Sequence, residues 1–359
     1  MPRPSSKQLL PLIIALAAAR LGTGCEEDPF NPPSFDLNLD SGVSLPPAAD
    51  GSLPTDAAGD GDVGDASDAA DAAIEAEAGD AGAAVVVTTA PVDRRVGVGT
   101  ASTIAITFGT PMQPGSVTVQ AGSGACTGSV HILVGPNFTT CIGATKTTTD
   151  NVVFTFTPAA SLENERRYKV SVAGALAADG RSLTPYEMTT GFLTHKFAVD
   201  ARVLYMANAA SGNLGGVAGA DNLCSTKPTR PAGVVAAKAM IAATTRTACS
   251  VANCGAGNTQ LDWALRPNQH YVREDGAYVF LTDANGIFTA YPGEHDLGSS
   301  LNFWDGLNAN WTTRGPSCDD WTSTDGDGAV GFDVGLNNAW LTGGTLPCSA
   351  FRPFVCAEQ

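Results

Sequence analysis

Basic side chains are missing from one long stretch of this chain. Between Glu26 and Ala83 stand fifteen Asp and Glu and no Lys or Arg. The formal net charge of the chain is -16, so this stretch supplies nearly all of it; from Ala84 onward 21 acids face 17 bases. No basic patch is available to neutralise phosphates, which excludes nucleic acid as a partner. Histidine is scarce too. His131, His195, His270 and His295 show no His-x-x-x-His spacing and the cysteines no Cys-x-x-Cys pair, which removes the usual zinc patterns. Neither a Gly-x-Ser-x-Gly elbow nor a Gly-rich loop ending in Lys-Ser or Lys-Thr occurs. Glu294, His295 and Asp296 bring acid–base groups together, but adjacent loop residues rarely converge on one point. No catalytic residue is expected, and a hydrolase with dispersed residues is the weakest alternative. No apolar run reaches the roughly 20 residues that span a bilayer.

What is present at the start is an export signal. Arg3 and Lys7 precede an apolar run from Leu9 to Ala19, the length of a signal-peptide core. The following Leu21-Gly22-Thr23-Gly24-Cys25 resembles a bacterial lipoprotein cleavage site, with Gly22 where that pattern has Leu. The resemblance implies a signal peptide over 1–24, lipid on Cys25, and a place at the outer membrane or cell surface of a Gram-negative bacterium, with no other membrane contact. Cleavage after Ala17-Ala18-Ala19, leaving Cys25 as a free thiol, is the alternative. Residues 25–83 read as a linker of Ala, Asp and Gly that cannot bury enough apolar surface to order itself. It would span about 40 Å, and more with charge repulsion.

From 84 to 196 come short alternating or β-branched runs: Thr103–Phe108, Val117–Val119, Val152–Thr157 and Tyr168–Val172. Turn residues separate them, and no long helical period appears. The pattern predicts an all-β antiparallel sandwich. Pro91-Val92-Asp93, the turn at Met112 and Pro114, Phe156 to Pro158, and Ala178 to Leu183 before a last strand at 191–194 resemble the bacterial Ig-like domain of surface-layer and adhesin proteins. That resemblance implies a spacer. Cys126 and Cys141 lie fifteen residues apart in a Gly-rich insertion, where a bridge would contribute about 3 kcal/mol. His131 in that insertion reads as a solvated side chain.

Residues 197–359 open with a strand-like run, Arg202–Met206, and a Gly-rich turn leading into a helix that contains Ala218, Asp221, Asn222 and Cys224. A second strand plus a short helix is expected over 234–243. Gly212 to Gly216, Ala220-Asp221 with Cys224, Phe303-Trp304 with Gly306-Leu307, Cys318 to Thr322, and the terminal Phe354-Val355-Cys356 resemble the endostatin-like lipoproteins of spirochaetes, members of the C-type lectin-like superfamily. The implied fold is an α+β lectin-like domain behind the Ig-like one. Six cysteines allow fifteen connectivities; the resemblance implies Cys224–Cys356 and Cys318–Cys348, leaving Cys249–Cys254.

Four of the five Trp crowd between Asn302 and Trp340, among many Asp and Asn. Indole faces suit sugar rings or protein anchors, and Asp and Asn fix orientation. Trp304 and Trp321 are assigned to the core. The ligand site is expected at Trp311, Asp319, Asp320, Asn337, Asn338 and Trp340. Asp325 and Asp327 supply hard oxygens, so calcium is a candidate cofactor, although an Asp-Gly-Asp-Gly string is also an ordinary turn. The expectation is an exported lipoprotein that binds extracellular protein or polysaccharide through its C-terminal domain. A structural cell-envelope protein is the alternative.

Overall fold

The computed structural model describes residues 84–288, 297, 302–332 and 340–359. The export signal, Cys25 and the acidic linker lie outside them, as do Asn337, Asn338 and His295. Among the described residues no helix is long and apolar enough to cross a membrane.

Two sheets form the first module. One has the order β1-β2-β6-β5, from β1 (Val86–Ala90), β2 (Ile104–Phe108), β5 (Ala144–Thr148) and β6 (Val153–Pro158). The other has the order β4-β3-β7-β8, from β3 (Val130–Val134), β4 (Thr140–Cys141), β7 (Arg167–Val172) and β8 (Tyr186–Glu187), with β9 (Phe192–Leu193) also paired to β7. The two-residue period sorts each strand. Ile104, Ile106 and Phe108 bury themselves with Phe154 and Phe156, and with Val130, Ile132, Tyr168, Val170 and Val172. All-β architecture is thus what the alternation produces. One expected strand fails: Val117–Val119 makes only isolated bridges. There the hydroxyls occupy ladder positions, since Thr118 N donates to Ser129 Oγ (2.8 Å) and Ser129 N to Thr118 Oγ1 (3.0 Å). His131 sits half-buried on β3 and its Nε2 meets Gly128 O at 3.0 Å.

The second module is built on a five-stranded sheet of order β11-β17-β10-β12-β13. Its strands are β10 (Arg202–Met206), β11 (Ala237–Ala239), β12 (His270–Arg273), β13 (Tyr278–Leu281) and β17 (Val355–Glu358). Only β10 and β12 pair in parallel. A three-stranded sheet runs β14 (Asn302–Trp304), β15 (Asp327–Phe332), β16 (Gly344–Pro347). Helix α1 (Gly216–Thr226) has no side-chain cap and no acid in its first turn. Packing holds it instead: Ala220 and Cys224 are buried, the Tyr205 hydroxyl donates to Cys224 O (3.0 Å), and Cys224 is bonded to Cys356 on β17. Cys126–Cys141, Cys249–Cys254 and Cys318–Cys348 are the other disulfides.

The expected helix within 234–243 does not form. After β11 the chain stays non-helical, and Met240, Ile241 and Ala242 are fully buried. Met240 N donates to Val355 O (2.8 Å) and Ala242 N to Asp305 O (2.7 Å), so this segment bridges β17 to the far loop. A helix would withdraw both donors into itself.

The modules meet through backbone and charge. Gly99 N donates to Asp200 Oδ1 (2.7 Å), Ala201 N to Gly97 O (2.7 Å) and Thr100 N to Phe197 O (2.9 Å). Arg95 of the first module reaches the buried Glu358 of the last strand, 2.9 Å from Oε1 and 3.0 Å from Oε2; Val203 N also donates to Oε2 (2.8 Å). Removing the guanidinium strands a carboxylate in a nearly dry site. Arg95→Met is expected to cost about 3–5 kcal/mol in chemical denaturation of the oxidised chain. The R95M/E358Q double variant should cost distinctly less than the sum of the two single changes.

Candidate binding site

The backbone of Cys318–Trp321 runs through the left-handed region for four consecutive residues, with φ of 52°, 52°, 53° and 67°. Left-handed turns cost L-residues roughly 1–2 kcal/mol each, so neighbouring structure must impose this one. Cys318 is bonded to Cys348, their Cα atoms 5.6 Å apart. The Trp321 indole N–H donates to Ala242 O (2.8 Å), its ring lies 5.8 Å from that of Trp304, and Trp321 N donates to Ser317 O (2.8 Å). The disulfide fits only because two neighbours lack side chains: a Cβ on Gly212 or Gly328 would stand 2.2 or 2.6 Å from Cys318 Sγ.

This turn buries its first and fourth side chains and presents the middle two. Asp319 is exposed. Asp320 is half-buried and accepts hydrogen bonds from Thr244 N (3.1 Å) and from the Thr244 hydroxyl. Asp325 and Asp327 are exposed at the start of β15. Asp320 is therefore a brace, and Asp319 is the group of the turn offered to solvent. Among the described residues no three His, Cys, Asp or Glu gather as a metal site.

Trp311 and Trp340, expected at the ligand site, are each 1 % exposed. The Trp311 indole donates to Phe288 O (3.0 Å) and stands edge-on to the Phe288 ring at 4.6 Å. Trp340 packs against Phe288 at 5.3 Å, Phe303 at 5.7 Å and Phe280 at 6.1 Å. This half of the module fills its interior with large rings set among aliphatic side chains. Trp304 and Trp321 are buried as expected. Trp311→Ala should therefore lower stability by about 3–5 kcal/mol in a denaturant titration, rather than trim a ligand contact on an intact fold.

Two buried charged groups escaped sequence reasoning. Arg246 is wholly buried: Nη1 and Nη2 donate to the two oxygens of Asp221 (2.7 Å each), Nη2 to Asp262 Oδ2 (2.6 Å) and Nη1 to Ala239 O (2.8 Å). Burial alone would lower its pKa, but the carboxylates of Asp221 and Asp262 outweigh it and raise it. At Asp262 burial pushes upward, and Lys238 and Arg246 outweigh it, leaving the carboxyl below its ordinary range. The knot ties the loop beyond β11 to α1. Its only sequence trace is Asp221 within the helix motif.

Asp305 is the second. It is fully buried; Oδ1 accepts from Leu307 N (3.2 Å) and Oδ2 has no partner. Burial raises its pKa well above the ordinary 3.8. Below that value both folded and unfolded chains are protonated and no penalty arises. As pH rises through it the unfolded chain ionises first, so stability is lost until the folded carboxyl also ionises. Asp305→Asn removes this dependence. Its stability relative to the unchanged protein should increase from about pH 4 upward, read from denaturant midpoints across pH.

Residues 80–194 match the family model described as bacterial Ig-like domain, and residues 207–340 the model described as protein of unknown function (DUF1554). No curated protein matches. Solved structures with similarity include surface layer protein SbsC, domains 1-6, at 13% identity, TM-score 0.25, covering 36% of this chain and 17% of that one. The N-terminal part of the bacterial S-layer protein SbsC matches at 12% identity, TM-score 0.25, covering 36% of this chain and 29% of that one. The chain thus spans under a third of either. It carries a bacterial Ig-like domain followed by a DUF1554 domain.

Proposed function

We propose that the protein is a non-catalytic binding protein of the bacterial cell surface, tethered by lipid on Cys25 and the acidic linker, with the Ig-like domain as spacer. The second domain, read as lectin-like, captures an extracellular protein or polysaccharide. The observation that carries this reading is the left-handed turn at Cys318–Trp321, where strain is held in place by a disulfide and a buried indole while Asp319 faces solvent. Strained backbone of this kind concentrates at ligand-binding positions. Four disulfides support export, because such bonds persist in oxidising compartments.

With the indoles buried, recognition falls to carboxylates. Asp319, Asp325 and Asp327 favour a ligand rich in hydroxyl or cationic donors over one that stacks on an aromatic face. The test uses the full chain, because Glu358 of the binding domain takes its counter-charge from Arg95 of the spacer. A glycan array and a panel of extracellular matrix proteins, each with and without calcium, should return a saturable ligand. Asp319→Asn should weaken capture about tenfold, roughly 1.4 kcal/mol, with an unchanged denaturation midpoint. Absence of any saturable ligand, or full binding by D319N together with D325N and D327N, would sink the reading.

A further inference from the structure

The junction between the modules holds a cluster of rings. His195 follows β9 and is 2 % exposed. Its Nε2 lies 2.6 Å from Val199 O, and its Nδ1 is buried without a hydrogen-bond partner. Nε2 therefore donates to the carbonyl and the ring is the neutral tautomer with a dry lone pair. Phe197, two residues on, stacks on His270 of β12 with centroids 3.8 Å apart and planes 18° apart. The His195 and His270 rings are 6.0 Å apart. Tyr278 of β13 closes the cluster, its hydroxyl 3.4 Å from His270 Nδ1, with the Lys196 ammonium over its ring at 4.5 Å.

We infer that this seam is an acid-sensitive hinge, in which protonation of His195 and His270 releases the binding domain from its docked orientation on the Ig-like spacer. The groups facing the pair are Lys196 and Asp200 on the junction itself and Tyr278 on β13. A proton on Nδ1 of His195 would enter a buried position with no acceptor, beside a second imidazole and an ammonium. Among the described residues Asp200 is the opposing charge, and its Oδ1 already accepts from Gly99 N and the Ser102 hydroxyl, both at 2.7 Å.

Burial lowers the pKa of His195, with Lys196 adding to it and the Val199 carbonyl and Asp200 opposing. At His270 burial again leads, reinforced by His195 and Lys196. Both folded values thus lie below the ordinary value near 6.5. The docked state is then fully stable above that value and loses stability as pH falls through it, because the undocked junction binds more protons. The contacts at risk are those the junction backbone makes: Thr100 N to Phe197 O, Ala101 N to Ala198 O, and Ala201 N to Gly97 O.

Hydrogen exchange by mass spectrometry on the oxidised full chain reads these amides directly, after correction for the intrinsic rate. Protection across 97–102 and 196–203 should fall about tenfold or more between about pH 7.5 and about pH 5, while β2 and β7 stay protected. His195→Gln, which keeps a donor for the Val199 carbonyl, combined with His270→Gln should abolish that fall. Unchanged junction protection down to about pH 5 overturns the inference. So does loss that extends into β2 and β7, which is global unfolding, or loss that persists in the double variant. If the double variant does not fold, NMR titration of the unchanged protein decides. Both imidazoles titrating below about 6.5 supports the hinge, and either titrating at or above that value overturns it.

Discussion

Insertion of the last strand holds the second domain together. Val355–Glu358 lies between β10 and β11, so this strand pairs antiparallel with the first strand of the domain and with a segment in between. The same four residues carry Cys356, bonded to α1 across 132 positions, and Glu358, which receives Arg95 from the other domain. Non-local pairing of this kind is entropically expensive to reach. A cross-link over so long a loop removes about 4–5 kcal/mol of that cost from the unfolded side. Sheet closure, helix docking and the Arg95 ion pair each require the C-terminal strand to be seated.

This dependence explains why the Ig-like domain is more than a passive rod. A buried carboxylate on a central strand is tolerated only with a counter-charge, and the nearest supply is on the neighbouring domain. Arg95 answers that need, and it also donates to the Ala201 carbonyl (3.2 Å). The junction between the modules is held by Asp200, which accepts from Gly99 N, and by the ring stack of Phe197 on His270. An interdomain surface with three backbone hydrogen bonds and a buried ion pair has few soft degrees of freedom. The histidine cluster is the part of it whose charge changes on acidification, below the ordinary imidazole value.

Much of the first domain was legible because period-two alternation is a local signal. The runs at 103–108, 152–157 and 168–172 became β2, β6 and β7 within a residue or two. Val117–Val119 looked equally strand-like and failed, since hydroxyl-to-backbone bonds between Thr118 and Ser129 are invisible to a hydropathy pattern. In the second domain the helix after Gly216 was legible from its glycines and alanines, and the disulfides Cys224–Cys356 and Cys318–Cys348 are those that resemblance implied. The site residues were not. Whether an indole faces a ligand or a neighbouring ring depends on what the rest of the chain brings against it, and Phe288, Phe303 and Phe280 are brought to Trp311 and Trp340 from separate segments. Arg246 was overlooked for the same reason: its two carboxylate partners lie 25 and 16 residues away on either side.

The four left-handed residues at Cys318–Trp321 show how such a domain positions a polar group without a long helix or strand to carry it. Asp visits this region more readily than most residues, so Asp319 and Asp320 account for little of the strain. Cys318 and Trp321 account for most of it, at roughly 1–2 kcal/mol each. Those two are also the residues with the strongest restraints, a cross-link closing 30 residues and an indole that is fully buried and hydrogen-bonded. A link over that span contributes about 3–4 kcal/mol, enough to offset the strain it sits in. The anchors are thus buried and strained, whereas the carboxylate between them is exposed and close to its natural backbone state. This division gives the side chain of Asp319 a fixed base while leaving its own substitution cheap for the fold.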